Sequence, residues 1–524
     1  MENKIVSLME ERAKREQMQK TVLEYLENSA EKYPDTCAVR DPSTSFTYRE
    51  LLDSSRKIGS SLAKQVVQKA PILVFMDKSV MTVAAFYGIV WAGCFYVPIS
   101  KEQPAERIKK MIELTRARII VTDKDGQEKL KSMDCRAKVC ILEEMLLEEA
   151  NEDMLLYIRQ KSRREDLLYI MFTSGSTGAP KGVAVSQDAV LRFIGHFTST
   201  FNIQHADIIG NQAPFDFDVS VKDIYSASAV GATLVIIPKE LFALPTRLLD
   251  YICLKKITTL IWAVPALCLI SSMKGFAYKI PETVNKVLFS GQSMPVKQLE
   301  KWQEALPQAM FVNLYGPTEV TCNCMYHIID KRYSAEEKIP LGIPLPGRQI
   351  HLMNENMQEI TGQGEVGELY VSGESLSEGY YGNAEETCKR FVFGNQGEFI
   401  KQRMYRTGDL ASYGEDGAMY FSGRKDFQIK RMGHRIELEE VEHEINGIQG
   451  VEESCCLFDK ESGRLFAYYQ GEMDKKELHK HLERKVPHYM IPNRICQMIQ
   501  LPMTKNGKIN RTYLAGLAGC KNEG

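Results

Sequence analysis

The sequence predicts an α/β fold with largely parallel sheets, followed by a β-rich region and a small α+β tail. Three observations carry this prediction. Short apolar runs alternate with longer helical patterns from Phe46 to Asn313, the order that builds parallel sheets covered by helices. From Gly364 to Tyr420 the runs come closer together and are parted by glycine-rich turns, as in Gly367-Glu-Leu-Tyr-Val-Ser-Gly373, which reads as a β-rich subdomain. After Asp426 an amphipathic pattern opens a compact tail. A chain of 524 residues is too long for one hydrophobic core. The main boundary is placed at Asp426, giving domains 1–425 and 426–524.

The elements follow in order. Helical periodicity runs from about Glu10 to Tyr33, with Val22, Leu23, Tyr25 and Leu26 facing inward. Phe46-Thr-Tyr-Arg-Glu-Leu51 opens a second helix, with Thr47 as its cap and Glu50 completing a capping box. Pro71 to Phe75 is an apolar strand, and Val80 to Trp91 a mostly apolar helix ending near Gly93. Phe95-Tyr-Val-Pro98 is a short strand closed by proline, and Arg118 to Thr122 another. Ala232–Ile237, Thr259–Trp262, Lys286–Phe289 and Met310–Asn313 continue the series of strands. Arg435 to Ile445 is predicted as one amphipathic helix.

Composition narrows the class. Hydrophobic residues make up 44% and charged residues 26%, an ordinary globular balance. A net charge of −2 gives no bulk attraction for nucleic acid or anionic membrane. The 13 cysteines are scattered, without Cys-x-x-Cys spacing, and read as buried hydrophobes or free thiols in a reducing compartment. Met1 to Lys20 is charged throughout and lacks the apolar core of a signal peptide. No apolar stretch reaches the length of a membrane span. A cytoplasmic protein is expected, with no nucleic-acid partner.

One stretch organises the rest. Tyr169-Ile-Met-Phe leads as a strand into Thr173-Ser-Gly-Ser-Thr-Gly178 and then Lys181-Gly182. Glycines let the backbone come close to a ligand, hydroxyls and N–H groups donate to anionic oxygens, and the lysine adds charge. The stretch reads as a phosphate-holding loop. It does not fit the Walker pattern, because Gly182 rather than Ser or Thr follows Lys181, nor the dinucleotide Gly-x-Gly-x-x-Gly pattern.

The motifs around it identify a third type. Ala92-Gly-Cys-Phe-Tyr-Val-Pro98 precedes the loop. Asn313-Leu-Tyr-Gly-Pro-Thr-Glu319, Gly367 to Gly373, Tyr405-Arg-Thr-Gly-Asp-Leu410, Gly423-Arg-Lys-Asp426 and Asn506-Gly-Lys508 follow it. In this order the chain resembles the adenylate-forming superfamily: acyl-CoA synthetases, luciferases and the adenylation domains of nonribosomal peptide synthetases. Phe215-Asp-Phe-Asp-Val-Ser-Val-Lys-Asp223 is similar to the substrate motif of the amino-acid-activating branch. The chain as a whole looks most like stand-alone D-alanine–carrier-protein ligases. The resemblance implies a large N-terminal adenylation core of two α/β subdomains plus the β-rich subdomain, and a small mobile α+β C-terminal lid.

The resemblance also implies a reaction and its residues. ATP and Mg²⁺ activate an amino acid as its adenylate, which then passes to the phosphopantetheine thiol of a carrier protein. Thr173, Ser174, Ser176, Thr177 and Lys181 would hold the β- and γ-phosphates, and Thr318 the α-phosphate. Glu319 would ligate Mg²⁺, a cation that takes oxygen ligands. Tyr315 would stack on adenine, Asn313 meet its polar edge, and Gly291, Leu314, Gly316 and Pro317 complete the nucleotide pocket. Asp409 would bind the ribose hydroxyls with Arg424 nearby, and Lys508 would bridge the substrate carboxylate and the α-phosphate as the principal catalytic group. Thr318 and Glu319 join Lys508 in the catalytic set. Taken singly, Asp409 could be a turn residue, Lys508 a solvated hairpin lysine, Tyr315 a core aromatic and Glu319 a solvated helix residue.

Asp218 decides the substrate class. A carboxylate in an apolar pocket needs a cation, and the α-ammonium of an amino acid supplies one; the alternative is a helix N-cap. Carried over from the family, Val219, Lys222, Ala266, Leu288, Ser290, Leu314, Cys322 and Asn323 surround the side chain, with Lys508 at the carboxylate. The set suggests a small substrate such as alanine or serine, with Lys222 running outward as a solvated rim residue. If Lys222 instead pairs with a side-chain carboxylate, the substrate is acidic or larger. Ser290 stands where D-alanine ligases typically carry cysteine, and Gln187 where many relatives have histidine. Asp426 is the expected hinge about which the Lys430-Arg-Met-Gly-His-Arg435 segment would replace Lys508. The acceptor thiol is expected in trans, on a separate carrier protein. An acyl- or aryl-CoA synthetase is the alternative enzyme, and a nucleotide-binding regulatory protein the alternative outside catalysis.

Overall fold

A computed structural model describes residues 21–133, 136–175, 180–396, 400–460, 462–504 and 509–519. The chain forms two compact units. One comprises residues 1–100, 117–171 and 183–423; the other comprises 101–116, 172–182 and 424–524.

The first unit is built on three sheets. A nine-stranded sheet has parallel strands Met310–Tyr315, Lys286–Ser290, Thr259–Ala263, Ile208–Asn211, Thr233–Ile236 and Cys37–Arg40 side by side. Antiparallel strands close it at both ends. A seven-stranded sheet has Leu167–Thr173, Phe95–Ile99, Pro71–Phe75, Ile119–Thr122 and Lys138–Ile141 in parallel. Pro98 does not close its strand, which runs on to Ile99 with Pro98 opposite Val74. The third sheet is antiparallel, with Arg348–Met353, Gly367–Gly373, Ile400–Tyr413 and Phe391–Gln396 in order. The α/β expectation and the β-rich subdomain are both present.

Local sequence accounts for many boundaries. Helix Tyr48–Ala63 starts at Thr47, whose hydroxyl accepts from the Glu50 N–H while the Glu50 carboxylate accepts from the Thr47 N–H, the reciprocal capping box expected. Helix Val80–Trp91 is buried on nearly every side, so it shows no polar face. Helix Leu23–Lys32 buries Leu23, Tyr25 and Leu26; the expected helical stretch before it lies outside the described residues. Gln187 ties two helices together, since its side-chain oxygen accepts from the Val22 N–H at 3.0 Å.

In the second unit, strands Val451–Asp459, Arg464–Gly471 and Arg494–Met498 form a small sheet covered by helices Leu438–Asn446 and Lys475–Lys485. The helix predicted from Arg435 begins later. Residues His434–Glu437 pair with Gln428–Arg431 as a hairpin, and the helix runs Leu438–Asn446. Met432 and Gly433, both at positive φ, form the tight turn of that hairpin. No described helix is long and apolar enough to cross a membrane.

Candidate functional site

The nine-stranded sheet places one wall of the site. Along Lys286–Ser290, Val287 and Phe289 enter one core cluster and Leu288 the other, so Ser290 shares the face of Leu288. The same alternation turns Phe311 away and keeps Leu314 with Leu288. Helix Val219–Val230 sends Val221, Ile224 and Tyr225 into the Leu288 cluster, so it covers this face. Ala266, on helix Val264–Ser272, and Ser290 are small and buried.

Asp218 stands at the N-cap position of that helix. Its backbone is already helical (φ −62°, ψ −21°), and its side chain makes no capping hydrogen bond. Lys222 lies four residues on, over the same helical face. It is 1% exposed, and its Nζ donates to Asn323 Oδ1 at 2.7 Å. The outward, solvated course expected for Lys222 is therefore wrong: the helix packs this face against the sheet, and the ammonium finds its partner inside. Burial pushes the Lys222 ammonium below its usual range, against the pull of Cys322, Asp218 and Asp223.

Cys322 and Asn323 reach this face through a constrained turn. Thr321 and Cys322 both have positive φ, a costly conformation for a β-branched residue such as Thr321. The turn packs on Gly316, where a Cβ would stand 2.5 Å from Asn323 Cα and 2.8 Å from the Cys324 nitrogen. The Cys322 thiol donates to the Asp218 carbonyl at 3.1 Å.

The Asn313-to-Glu319 motif occupies the strand end beside that turn. Tyr315 is buried, and its hydroxyl donates to Asp409 Oδ2 at 2.5 Å, so the structure joins these two residues. Burial, with Asp409 next, drives the Tyr315 phenol well up, which keeps it a donor. Asn313 donates to the Pro340 carbonyl at 2.8 Å. Thr318, following Pro317, opens a 3-10 turn and is half-buried. Glu319 is fully buried and accepts from the Tyr380 hydroxyl at 2.8 Å, which excludes a solvated helix residue. Gly291 has φ +98° and open space where a Cβ would be.

The second unit holds the loop and its neighbours. Ser174 is clasped by the hairpin: its hydroxyl donates to the Arg435 carbonyl at 3.0 Å and accepts from the Glu437 N–H at 3.1 Å. The Gly175 N–H donates to Glu440 Oε2 at 2.9 Å, and Arg107 holds Glu440 Oε1 at 2.5 Å. The Thr173 hydroxyl reaches the Lys181 carbonyl at 3.5 Å, and Lys181 is buried. Arg424 pairs with Asp426 through two bonds, at 2.6 and 2.9 Å. Ser176, Thr177 and Lys508 lie outside the described residues.

Sequence reasoning missed two features. Lys78 donates to Asn211 Oδ1 and to the Gln212 carbonyl, and Asn211 donates to the fully buried Asp223. Burial pushes Asp223 up to about 7 and Lys78 down to about 8. Arg348 is 6% exposed, with its guanidinium carbon 5.1 Å from the centre of the Phe193 ring. Neither Lys78, in Met76-Asp-Lys-Ser79, nor Arg348, in Pro346-Gly-Arg-Gln349, sits in a motif that marks it.

Comparison with known proteins agrees with the fold described above. A family described as AMP-binding enzyme matches residues 26–381. Gramicidin S synthase 2 of Brevibacillus brevis is 32% identical over 510 residues, 96% of this chain but only 11% of that protein, so the chain spans about a tenth of it. Tyrocidine synthase 1 of Brevibacillus parabrevis is 30% identical, and the chain spans 45% of it. The D-alanine–D-alanyl carrier protein ligase of Bacillus licheniformis is 31% identical over 516 residues, covering 94% of this chain and 98% of that one. The Vibrio cholerae adenylation domain AlmE, solved with glycyl-adenosine-5'-phosphate, has the same fold. Its TM-score is 0.83 at 21% identity, over 96% of this chain and 98% of that one.

Proposed function

Because the chain belongs to the AMP-binding enzyme family, we propose that it activates an amino acid with ATP as the aminoacyl-adenylate and transfers it to the phosphopantetheine thiol of a carrier protein. In the first half-reaction a substrate carboxylate oxygen attacks the α-phosphorus, and pyrophosphate leaves. In the second, the thiol attacks the acyl carbon, and AMP leaves. What the protein supplies is positioning and charge stabilisation. Near-full-length similarity to a D-alanine–D-alanyl carrier protein ligase supports a carrier protein, acting in trans, as acceptor.

The observation that carries the reading is the position of Asp218. Its half-buried carboxylate heads the helix that covers the pocket, on the face of Lys222 and beside Cys322, a place that suits an α-ammonium. Tyr315 and Asp409 would take adenine and ribose, and their mutual bond fixes each against the other. Thr318 would donate to the α-phosphate, and Thr173, Ser174, Ser176, Thr177 and Lys181 would hold the departing pyrophosphate. Lys508 would bridge the carboxylate and phosphate, offsetting charge on both as they close. The donor set fits Mg²⁺ carried on the nucleotide: Glu319 is a single buried carboxylate, and no group of three or more metal-binding side chains occurs among the described residues. Bound there, the ion would neutralise developing charge on the phosphate oxygens.

ATP–pyrophosphate exchange over a panel of amino acids and plain carboxylic acids tests the reading. Amino-acid-dependent exchange, with thioester formed on a phosphopantetheinylated carrier, is expected. Exchange with plain acids alone, and thioester on CoA, would replace it with a CoA synthetase. No exchange at all would leave a nucleotide-binding protein without this activity.

A further inference from the structure

We propose that the substrate pocket is built for an amino acid whose side chain carries a carboxylate, held by Lys222 and Arg348. The proposal rests on the amino-acid-activating reading above and names its substrate class. Lys222 is 1% exposed, and its one hydrogen-bond partner among the described residues is the neutral amide of Asn323. Arg348 is 6% exposed. It gives one bond to the Pro346 carbonyl at 3.2 Å, while its Nε and Nη2 have no partner among the described residues. The acid whose field reaches it, Glu374, is held by Arg192 at 3.0 Å and lies 3.6 Å from His196.

The fields of both cations reach one residue, Cys322. Burial drives the Cys322 thiol well up, Asp218 and Asp223 push it further, and Lys222 and Arg348 pull it back. Cys322 thus sits amid two acids and two bases on the face that carries Asp218. Charge then decides what fits. An α-ammonium bound at Asp218 uses that carboxylate. Asp223 is already hydrogen-bonded by Asn211 and titrates near 7, so it is a partial anion at neutral pH. Among the described residues neither Lys222 nor Arg348 is hydrogen-bonded to a carboxylate, and buried charge without a counter-charge is strongly disfavoured. A substrate carboxylate restores the balance and supplies acceptors for the open donors of Arg348, a guanidinium being suited to bidentate carboxylate binding. The small side chain of Ser290, on the face of Leu288, leaves room there.

The wild-type protein provides the first test, with no variant needed. ATP–pyrophosphate exchange is measured with aspartate against asparagine and glutamate against glutamine, in both enantiomers, with alanine and serine alongside. The acidic member of at least one pair should be favoured by about 100-fold in kcat/KM, the size of a desolvated charge-assisted contact. Lys222→Met, which keeps the stem and removes the charge, should cut that ratio by about tenfold or more, chiefly through KM. Arg348→Gln should do the same, and Arg348→Lys should recover part of it. A purely structural role would instead lower exchange equally for every substrate. Preference for the neutral members, or for alanine or serine, overturns the acidic subsite and leaves amino-acid activation standing. Exchange with no amino acid overturns both.

Discussion

Asp218 and Lys222 stand one helical turn apart and were unequally legible. Asp218 is readable because its neighbours, Phe215 to Asp223, form a recognisable run. The burial of Lys222 is not readable, because it depends on Asn323, 101 residues downstream, reaching its ammonium. Asp218→Ala should abolish amino-acid-dependent pyrophosphate exchange while nucleotide still binds, checked by exchange assay and nucleotide titration; retained amino-acid dependence would refute its assignment. Asp223 gives a pH prediction. In the native chain it holds its proton up to about 7, against an ordinary value of 3.8. The native state therefore binds more protons in that window. The stability this group contributes is complete below about 4 and is lost as pH rises through about 7. Asp223→Asn should remove that dependence, so the variant gains on the wild type between about pH 5 and pH 7.5. All three tryptophans, Trp91, Trp262 and Trp302, lie in the first unit, so denaturation followed by their fluorescence reads this unit alone.

Elements whose determinants are local were readable to within a residue or two. The capping box at Thr47 and Glu50 and the strand Pro71–Phe75 depend on side chains close in sequence. Thr47→Ala should cost about 1 kcal/mol by the same fluorescence measurement. The Arg435 segment misled because its apolar spacing suits a helix, whereas the Met432–Gly433 turn commits His434–Glu437 to pairing with Gln428–Arg431. The turn carrying Cys322 and Asn323 was not legible either, since its shape depends on close packing against Gly316. Gly316→Ala should destabilise the unit by roughly 1–3 kcal/mol through forced backbone movement. It should also raise the substrate KM if the displaced Cys322 and Asn323 line the pocket as proposed.

At the scale of the whole molecule, the sequence marks a change of pattern at Asp426 but holds no sign that residues 101–116 and 172–182 group with the tail. That grouping rests on pairs such as Arg107 with Glu440, 333 residues apart. For the hinge proposed at Asp426, Asp426→Pro should spare pyrophosphate exchange and suppress thioester formation, followed as loading of a carrier protein; equal loss of both would argue against it. The buried Arg107–Glu440 pair has a practical corollary. Residues 424–524 are not a cassette. Expressed alone or grafted onto a relative, that fragment would keep Glu440 and Glu444, the latter still paired with Lys485, but leave behind Arg107 and Lys110, their ionic partners from the first two turns of helix Ala105–Thr115. Exchanges of the tail between homologues need those two positions transplanted with it.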